Sequence, residues 1–304
     1  MIAALLDRLR KGDRHALARL LSLAAQGEAL AEIQTALAAI LPCARVIAFT
    51  GGGGVGKSTL IGKLIPITRN HGRKVAVLAC DPQSPLSGGA LLGDRFRMGN
   101  STDDGIFIRS LAAQSGHGAL AEHLDVMIRL FEAAGFNVIF LETVGAGQGD
   151  VAVRHLSDVV VLLLQPETGD DVQWEKAGIL ECADIVVVHK ADLPTAEQTA
   201  AQVRAAIDLS PTMHVPVLCV STKANIGHSE LWQAIEALPM RRLHPTAASQ
   251  FLESAIAWFK ERFQAAESRR DAELLKLIAA WQRGDSPTPN AAPALLASLS
   301  KPIK

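Results

Sequence analysis

Residues Arg45–Thr59, RVIAFTGGGGVGKST, decide the architecture of this chain. Val46–Phe49 form an apolar run suited to a buried strand, and glycines follow at once. Gly51, Gly56, Lys57 and Ser58 stand at the G-x-x-x-x-G-K-[ST] spacing of a phosphate-binding loop. Glycines let the backbone curl so that the N–H groups of Gly52, Gly53, Gly54, Val55 and Gly56 turn inward toward phosphate oxygens. Lys57 is then within reach of the β- and γ-phosphates, the Ser58 hydroxyl can ligate Mg²⁺, and Thr59 continues the first turn. The helix that opens at Lys57 adds its positive dipole end, and Leu60, Ile61, Leu64 and Ile65 fall at helical spacing behind it. A strand, a glycine loop and a helix in that order predict a nucleoside-triphosphate site.

Around this stretch, short β-rich runs alternate with helical ones. Strands are predicted at Val46–Thr50, Lys74–Cys80, Ile106–Ser110, Asn137–Leu141, Asp158–Leu164, Ile185–Val188 and Val217–Val220. Helices are predicted at Ser58–Asn70, Leu120–Ala134, Val172–Glu181, Ala196–Leu209 and Ser229–Leu238. That alternation is the mark of an α/β P-loop fold, a mostly parallel central sheet with helices on both faces. Residues 1–42 read as a helical extension, with Ile2, Leu5, Leu6 and Leu9 on one face, and Pro42 ends it. Residues 43–240 make the nucleotide-binding domain. Residues 241–304 make a C-terminal helical arm: one long helix over Leu252–Arg283, with Leu252, Ile256, Phe259 and Phe263 on one stripe, then a loose tail or arm after the Pro/Asn/Ser-rich Gly284–Pro293.

Composition sets limits. The 304 residues are 49% hydrophobic and carry a net charge of −1, so nothing draws the whole chain to nucleic acid or an anionic membrane. The mildly basic C-terminal segment reads more simply as a solvated helix face than as a nucleic-acid patch. No apolar run is long enough for a membrane span, and Met1–Gly12 lacks the pattern of a signal peptide. The four cysteines are scattered, without the spacing of a zinc site. A reduced, cytoplasmic enzyme is expected.

A P-loop needs acidic partners at the carboxyl ends of nearby strands. Asp81 ends one predicted strand and Glu142 another. Strand-end capping would explain a lone acid; two at these positions suit metal binding, with Glu142 long enough to act through a water. Gly145 would then offer a backbone N–H to the γ-phosphate. The glycine-punctuated segment after Asp81 contains Asp94 and Arg95 and reads either as a switch loop or as a surface excursion.

Base choice rests on His189-Lys190-Ala191-Asp192, which follows an apolar strand. Asn-Lys-x-Asp at such a place reads guanine, its Asp accepting from the N1–H and the exocyclic amine. Lys190 and Asp192 are present. His189 replaces the Asn; its ring nitrogen could still donate to guanine N7, so weakened or re-routed positioning with base choice retained is expected. Ser221, Thr222 and Lys223 end the next strand, where a backbone N–H can meet guanine O6. Adenine would leave Asp192 unpaired.

The P-loop, Ala79–Met98 (ACDPQSPLSGGALLGDRFRM), Glu142–Gln148 (ETVGAGQ) and Gly169–Lys176 (GDDVQWEK) together resemble the MeaB/ArgK-type GTPases. These are G-protein chaperones of cobalamin-dependent acyl-CoA mutases, in the SIMIBI class of P-loop proteins. The resemblance covers roughly Met1–Leu238, and its Asp-Pro-x-Ser loop through Gly93-Asp94-Arg95 is the most specific part. It implies that Ser58, Asp81, Asp94 and Glu142 surround Mg²⁺ directly or through water, and that Lys57, Asp94, Glu142 and Lys176 serve hydrolysis. Gly145 falls in the second switch. Asp170, Asp171, Gln173 and Lys176 match a third switch that responds to a docked mutase; an exposed acidic helix N-terminus would explain the acids but not Gln173 or Lys176. The resemblance further implies a GTPase that is slow alone and stimulated by its mutase, which gates adenosylcobalamin loading or removal of damaged cofactor, and a homodimer through the C-terminal helices. Two other readings stay open, an ATP-dependent kinase linked to amino-acid transport and a nickel-type metal-insertion GTPase.

Overall fold

The structure, a computed structural model, describes residues 2–38, 40–82, 103–113, 123–143, 150–166, 179–209, 215–243, 247–285 and 287–300. The chain divides into two compact units, Met1–Leu243 and His244–Lys304.

In the first unit, seven parallel strands lie in the order β3-β2-β4-β1-β5-β6-β7. They are β1 (Arg45–Gly51), β2 (Val75–Pro82), β3 (Ile106–Ala113), β4 (Val138–Glu142), β5 (Val159–Leu164), β6 (Ile185–His189) and β7 (Val217–Val220). Helices α1 (Ile2–Arg10), α2 (Arg14–Ala25), α3 (Leu30–Leu37), α4 (Lys57–Asn70), α5 (Leu124–Ala133), α6 (Asp150–Leu156), α7 (Ile179–Cys182), α8 (Ala196–Asp208) and α9 (His228–Ala237) surround them. The central strands are continuous apolar runs because both faces of the sheet are covered. Alternate residues divide between the layers, as a period of two requires. Val46, Ala48, Leu78, Ile139 and Leu141 pack with α1, α2, α3 and α5. Ile47, Phe49, Val77, Phe140 and Val161 pack with α4 and α9.

The N-terminal helices are therefore one wall of the sheet's own core. Leu6, Leu9, Leu17, Leu20 and Leu21 are buried in the same cluster as Val46 and Leu141. Asp13 caps α2 by accepting from the backbone N–H groups of His15 and Ala16. Arg14 ties that helix to the sheet edge through the carbonyls of Asp104 and Ile106, both at 2.7 Å. Within the region predicted as the helix Val172–Glu181, the described part is α7.

The first unit runs three residues beyond the boundary expected at 240. Arg241 pairs with Asp184 at 2.5 and 2.8 Å, and Arg242 reaches Asp158 and Glu132. These charges are ion-paired to the sheet domain, where composition suggested a solvated face.

The second unit corrects the expectation of one long helix. It contains α10 (Ala247–Ser268), α11 (Ala272–Gln282) and α12 (Thr288–Leu299). The chain turns at Arg270, φ +54°, and Asp271 starts α11 by accepting from the N–H groups of Glu273 and Leu274. An N-cap Asp inside an apolar stripe outweighs the stripe's continuity. The segment expected as a loose tail forms α12: Trp281 Nε1 donates to Thr288 Oγ1 at 3.1 Å, and Arg262 Nε to the Leu299 carbonyl at 3.0 Å. Phe259 and Phe263 are half-buried, whereas Ile256 on the same predicted stripe is exposed. Among the described residues, no helix is long and apolar enough to cross a membrane.

Candidate functional site

The site lies at the carboxyl ends of the strands. β1 delivers the chain to Gly51, whose φ is +134° and where a Cβ would stand 2.3 Å from the Leu163 carbonyl of β5. Only glycine permits that exit from the sheet. The loop then presents Gly52, Gly53 and Gly54 to solvent while Val55 is buried beneath them. Gly56 turns into α4 at φ +102°, with room for no side chain beside the His189 ring. Lys57 is 7% exposed, and its Nζ donates to the carbonyls of Gly51 at 2.9 Å and Gly52 at 3.1 Å. The ammonium is thus folded over its own loop, at the mouth where phosphates would enter. Thr59 is exposed in the first turn of α4.

Glu142 ends β4, in register with Phe49 of β1 and Ala79 of β2. It is buried, and its Oε1 accepts from Ser58 Oγ at 2.6 Å. Thr143 follows, its N–H bonded to the Phe49 carbonyl and its hydroxyl to Thr50. Asp81 lies in β2, two residues beyond the Ala79–Glu142 register. Ser58 and Glu142 are therefore brought together as two hard oxygen donors at the loop, a set that fits Mg²⁺. Asp94, Gly145, Asp170, Asp171, Gln173 and Lys176 lie outside the described residues.

On the other side of β1, β6 ends in His189. Lys190 turns the chain at φ +56°, and its Nζ donates to Gln165 Oε1 at 2.9 Å. Gln165, just beyond β5, was not singled out in the sequence; a polar residue ending a run of buried Val and Leu was the available signal. Asp192 Oδ1 accepts from Ser221 Oγ at 2.5 Å, and Ser221 Oγ in turn accepts from the Ala224 N–H. The hydrogen bond from Ser221 holds the Asp192 carboxyl below its usual range. Lys223, largely exposed, stands 3.8 Å from Asp192 Oδ2. Paired backbone bonds between Ser221 and Ile226 close the loop after β7. The carboxylate proposed to read guanine is thus fixed in place and charged.

His189 departs from the expected arrangement. Nδ1 bonds to the Val55 carbonyl of the P-loop at 2.7 Å, and Nε2 to Thr222 Oγ1 at 2.8 Å. Both ring nitrogens serve protein partners here, where the sequence suggested a contact from this ring to guanine N7. Burial pushes the imidazole below its usual range.

With this geometry in hand, comparison with known proteins places the chain. A family model described as "Methylmalonyl Co-A mutase-associated GTPase MeaB" matches residues 17–255. The chain belongs to the MeaB family. A relative in Pyrococcus abyssi, provisionally named a GTPase, is 44% identical over 244 residues, covering 78% of this chain and 75% of its own length. A protein of Geobacillus kaustophilus named "Fused isobutyryl-CoA mutase" is 36% identical over 213 residues, 66% of this chain but 19% of that protein. The crystal structure titled "LAO/AO transport system kinase" superposes with a TM-score of 0.61 over 99% of this chain and 98% of that one, at 21% identity. That likeness establishes a shared P-loop fold and nothing of substrate. The family matches the resemblance read from the P-loop and its companion loops.

Proposed function

We propose that this MeaB-family chain is a Mg²⁺-dependent GTPase and a chaperone of an adenosylcobalamin-dependent acyl-CoA mutase, gating cofactor loading or removal of damaged cofactor. The observation that carries the reading is the combination of a P-loop after β1 with an Asp192 held by Ser221 after β6, both at the carboxyl edge of one sheet. A relative whose chain is named a fused mutase supports the choice of partner.

Ser58, Asp81, Asp94 and Glu142 would hold the metal. Mg²⁺, when bound there, would supply positive charge that offsets the charge developing on the phosphates. The chain's own groups do the rest. Loop amides and Lys57 orient the triphosphate, and Lys57 exchanges the Gly51 and Gly52 carbonyls for phosphate oxygens. Asp192 selects guanine, and Gly145 senses the γ-phosphate. Hydrolysis by a P-loop GTPase without a supplied cation runs at roughly 10⁻⁴–10⁻³ s⁻¹, suited to timing a conformational gate. A docked mutase reorders the segment containing Asp170, Asp171, Gln173 and Lys176, and Lys176 supplies the missing cation. The C-terminal helices form a homodimer arm, and the protein works in the cytoplasm.

GTP turnover measured with methylmalonyl-, isobutyryl- and 2-hydroxyisobutyryl-CoA mutases, with and without cobalamin, tests this reading. Stimulation by one mutase, lost in Lys176→Ala, is expected. No stimulation by any of them removes the chaperone reading, and an unchanged stimulated rate in Lys176→Ala removes the role of that lysine.

A further inference from the structure

The His189 ring stands between two parts of the site that the sheet order separates. Its Nδ1 faces the Val55 carbonyl, which can only accept, so the ring proton sits on Nδ1. Nε2 then accepts from the Thr222 hydroxyl. The ring is 4% exposed, and a Cβ on Gly56 would lie 2.5 Å from its Cε1, so it is boxed in against the start of α4. Val55 sits between the exposed glycines of the phosphate loop and Gly56. Thr222 follows Ser221, the hydroxyl that fixes Asp192. One side chain therefore spans from the loop that would hold the phosphates to the loop that sets the guanine-reading carboxylate.

We propose that His189 is a positioning residue for base selection: it locks the Thr222 loop to the P-loop and leaves purine N7 unread by this side chain. The proposal rests on the reading of the site as a guanine-nucleotide site. Its physical content is a division of labour. Guanine is chosen through Asp192, whose distance from the phosphate loop is fixed by the chain Val55–His189–Thr222–Ser221–Asp192. A ring with both nitrogens committed has no donor left for the base. A side chain that read N7 would instead lose its effect when the ligand lacks that nitrogen. The neutral form of the ring, in which Nε2 accepts from Thr222, agrees with the downward shift that burial gives it. Lys190, Asp192 and the imidazole of His228 are the ionisable groups whose charge bears on it.

The test crosses a change in the protein with a change in the ligand. GDP, 7-deaza-GDP and ADP are titrated calorimetrically into the full-length wild-type chain and into His189→Ala, His189→Asn and Thr222→Val. His189→Ala should weaken GDP and 7-deaza-GDP by the same factor, within about twofold, because the ring acts through the loops. Thr222→Val, a near-isostere that leaves the ring in place, should narrow the GDP-over-ADP preference about tenfold, one hydrogen bond's worth to a fixed loop. A part that only supported the fold would lower thermal stability and leave that preference alone. His189→Asn, whose amide can still donate to the Val55 carbonyl, should restore part of the GDP affinity lost in His189→Ala. If His189→Ala weakens GDP but leaves 7-deaza-GDP untouched, the ring reads N7 and the proposal is overturned. If Thr222→Val keeps the full GDP-over-ADP preference, the lock to the Thr222 loop is overturned. A wild-type chain with no preference for GDP over ADP would instead refute the guanine reading on which the proposal stands.

Discussion

Replacing Arg242 with Met should destabilise the chain strongly without touching nucleotide binding. Arg242 is 14% exposed and faces two carboxylates, Glu132 and Asp158, whose side chains are fully buried. Its guanidinium reaches Glu132 Oε1 at 3.0 Å, Asp158 Oδ2 at 3.4 Å and the Ala44 carbonyl at 2.9 Å. Removing one partner of a buried pair costs about 3–5 kcal/mol, because the charge left behind has no solvent to turn to. Here each carboxylate keeps other bonds. Asp158 still accepts from the N–H groups of Val46 and Arg242, and Glu132 from those of Cys43 and Ala44, with Arg129 Nε 3.6 Å away. The cost therefore falls at the lower end, about 3 kcal/mol. At about 2 °C per kcal/mol for a unit as large as Met1–Leu243, Tm should drop by about 6 °C. The assay is thermal unfolding at pH 7.5, paired with GDP titration of the folded protein. Adding Glu132→Gln to Arg242→Met should recover part of the loss, since it removes one uncompensated charge. A Tm within about 2 °C of wild type would mean that these carboxylates do not depend on Arg242, and would refute the reasoning from burial.

Two further outcomes follow from the base-reading end. In Asp192→Asn the acceptor held by Ser221 becomes an amide, so GDP affinity should fall by about 10⁴-fold, as expected where a site's polar groups are left mispaired. Xanthosine diphosphate, which offers an acceptor in place of the exocyclic amine, should bind better than GDP, and a GDP loss below tenfold would remove Asp192 from base reading. The second outcome concerns pH. Burial lowers both His189 and His228 from their ordinary value of 6.5, so the folded chain binds fewer protons than the unfolded one just below that pH. Stability is then highest above about pH 6.5 and falls as acid is added, before the carboxylates titrate. Lys190 disfavours and Asp192 favours the charged form of His189, as Lys63 and Glu230 do for His228. Tm scanned from pH 7.5 to 5.5 should fall less steeply in His189→Asn than in wild type, and parallel slopes would show that His189 does not supply the linkage.

What could be read in the sequence was what neighbouring residues determine. A buried parallel strand announces itself as an apolar run, and all seven strands lie within a few residues of their predicted limits. The P-loop was legible because glycine, lysine and serine act at fixed spacing along one turn. The hidden parts were those whose partners lie far along the chain. His189 meets Val55 across 134 residues and Thr222 across 33, so no local pattern distinguishes a ring that reads a base from one that ties two loops. Arg241 and Arg242 looked like surface charge for the same reason, their carboxylate partners lying 57 to 110 residues away. The break at Asp271 is local: an Asp that can cap a helix stands within the apolar stripe.

These long-range contacts also separate the two jobs of the sheet. β1 begins at the buried ion cluster, where Val46 donates to Asp158, and ends at Gly51, where the phosphate loop starts. Its seven residues span about 20 Å at the rise of a strand. The carboxylates of the amino edge are ion-paired to Arg242 there, so what reaches the carboxyl edge from them is the small residual field of paired charges. The carboxyl edge carries exposed glycines, a lysine folded over its own loop, and carboxylates held by hydroxyls that a ligand can compete for. Such contacts can be exchanged without unfolding anything. The amino edge has no such slack, because its carboxylates are fully buried. The nucleotide-driven gate proposed for this chain would need both: loops free to trade partners, and a sheet that does not move when they do.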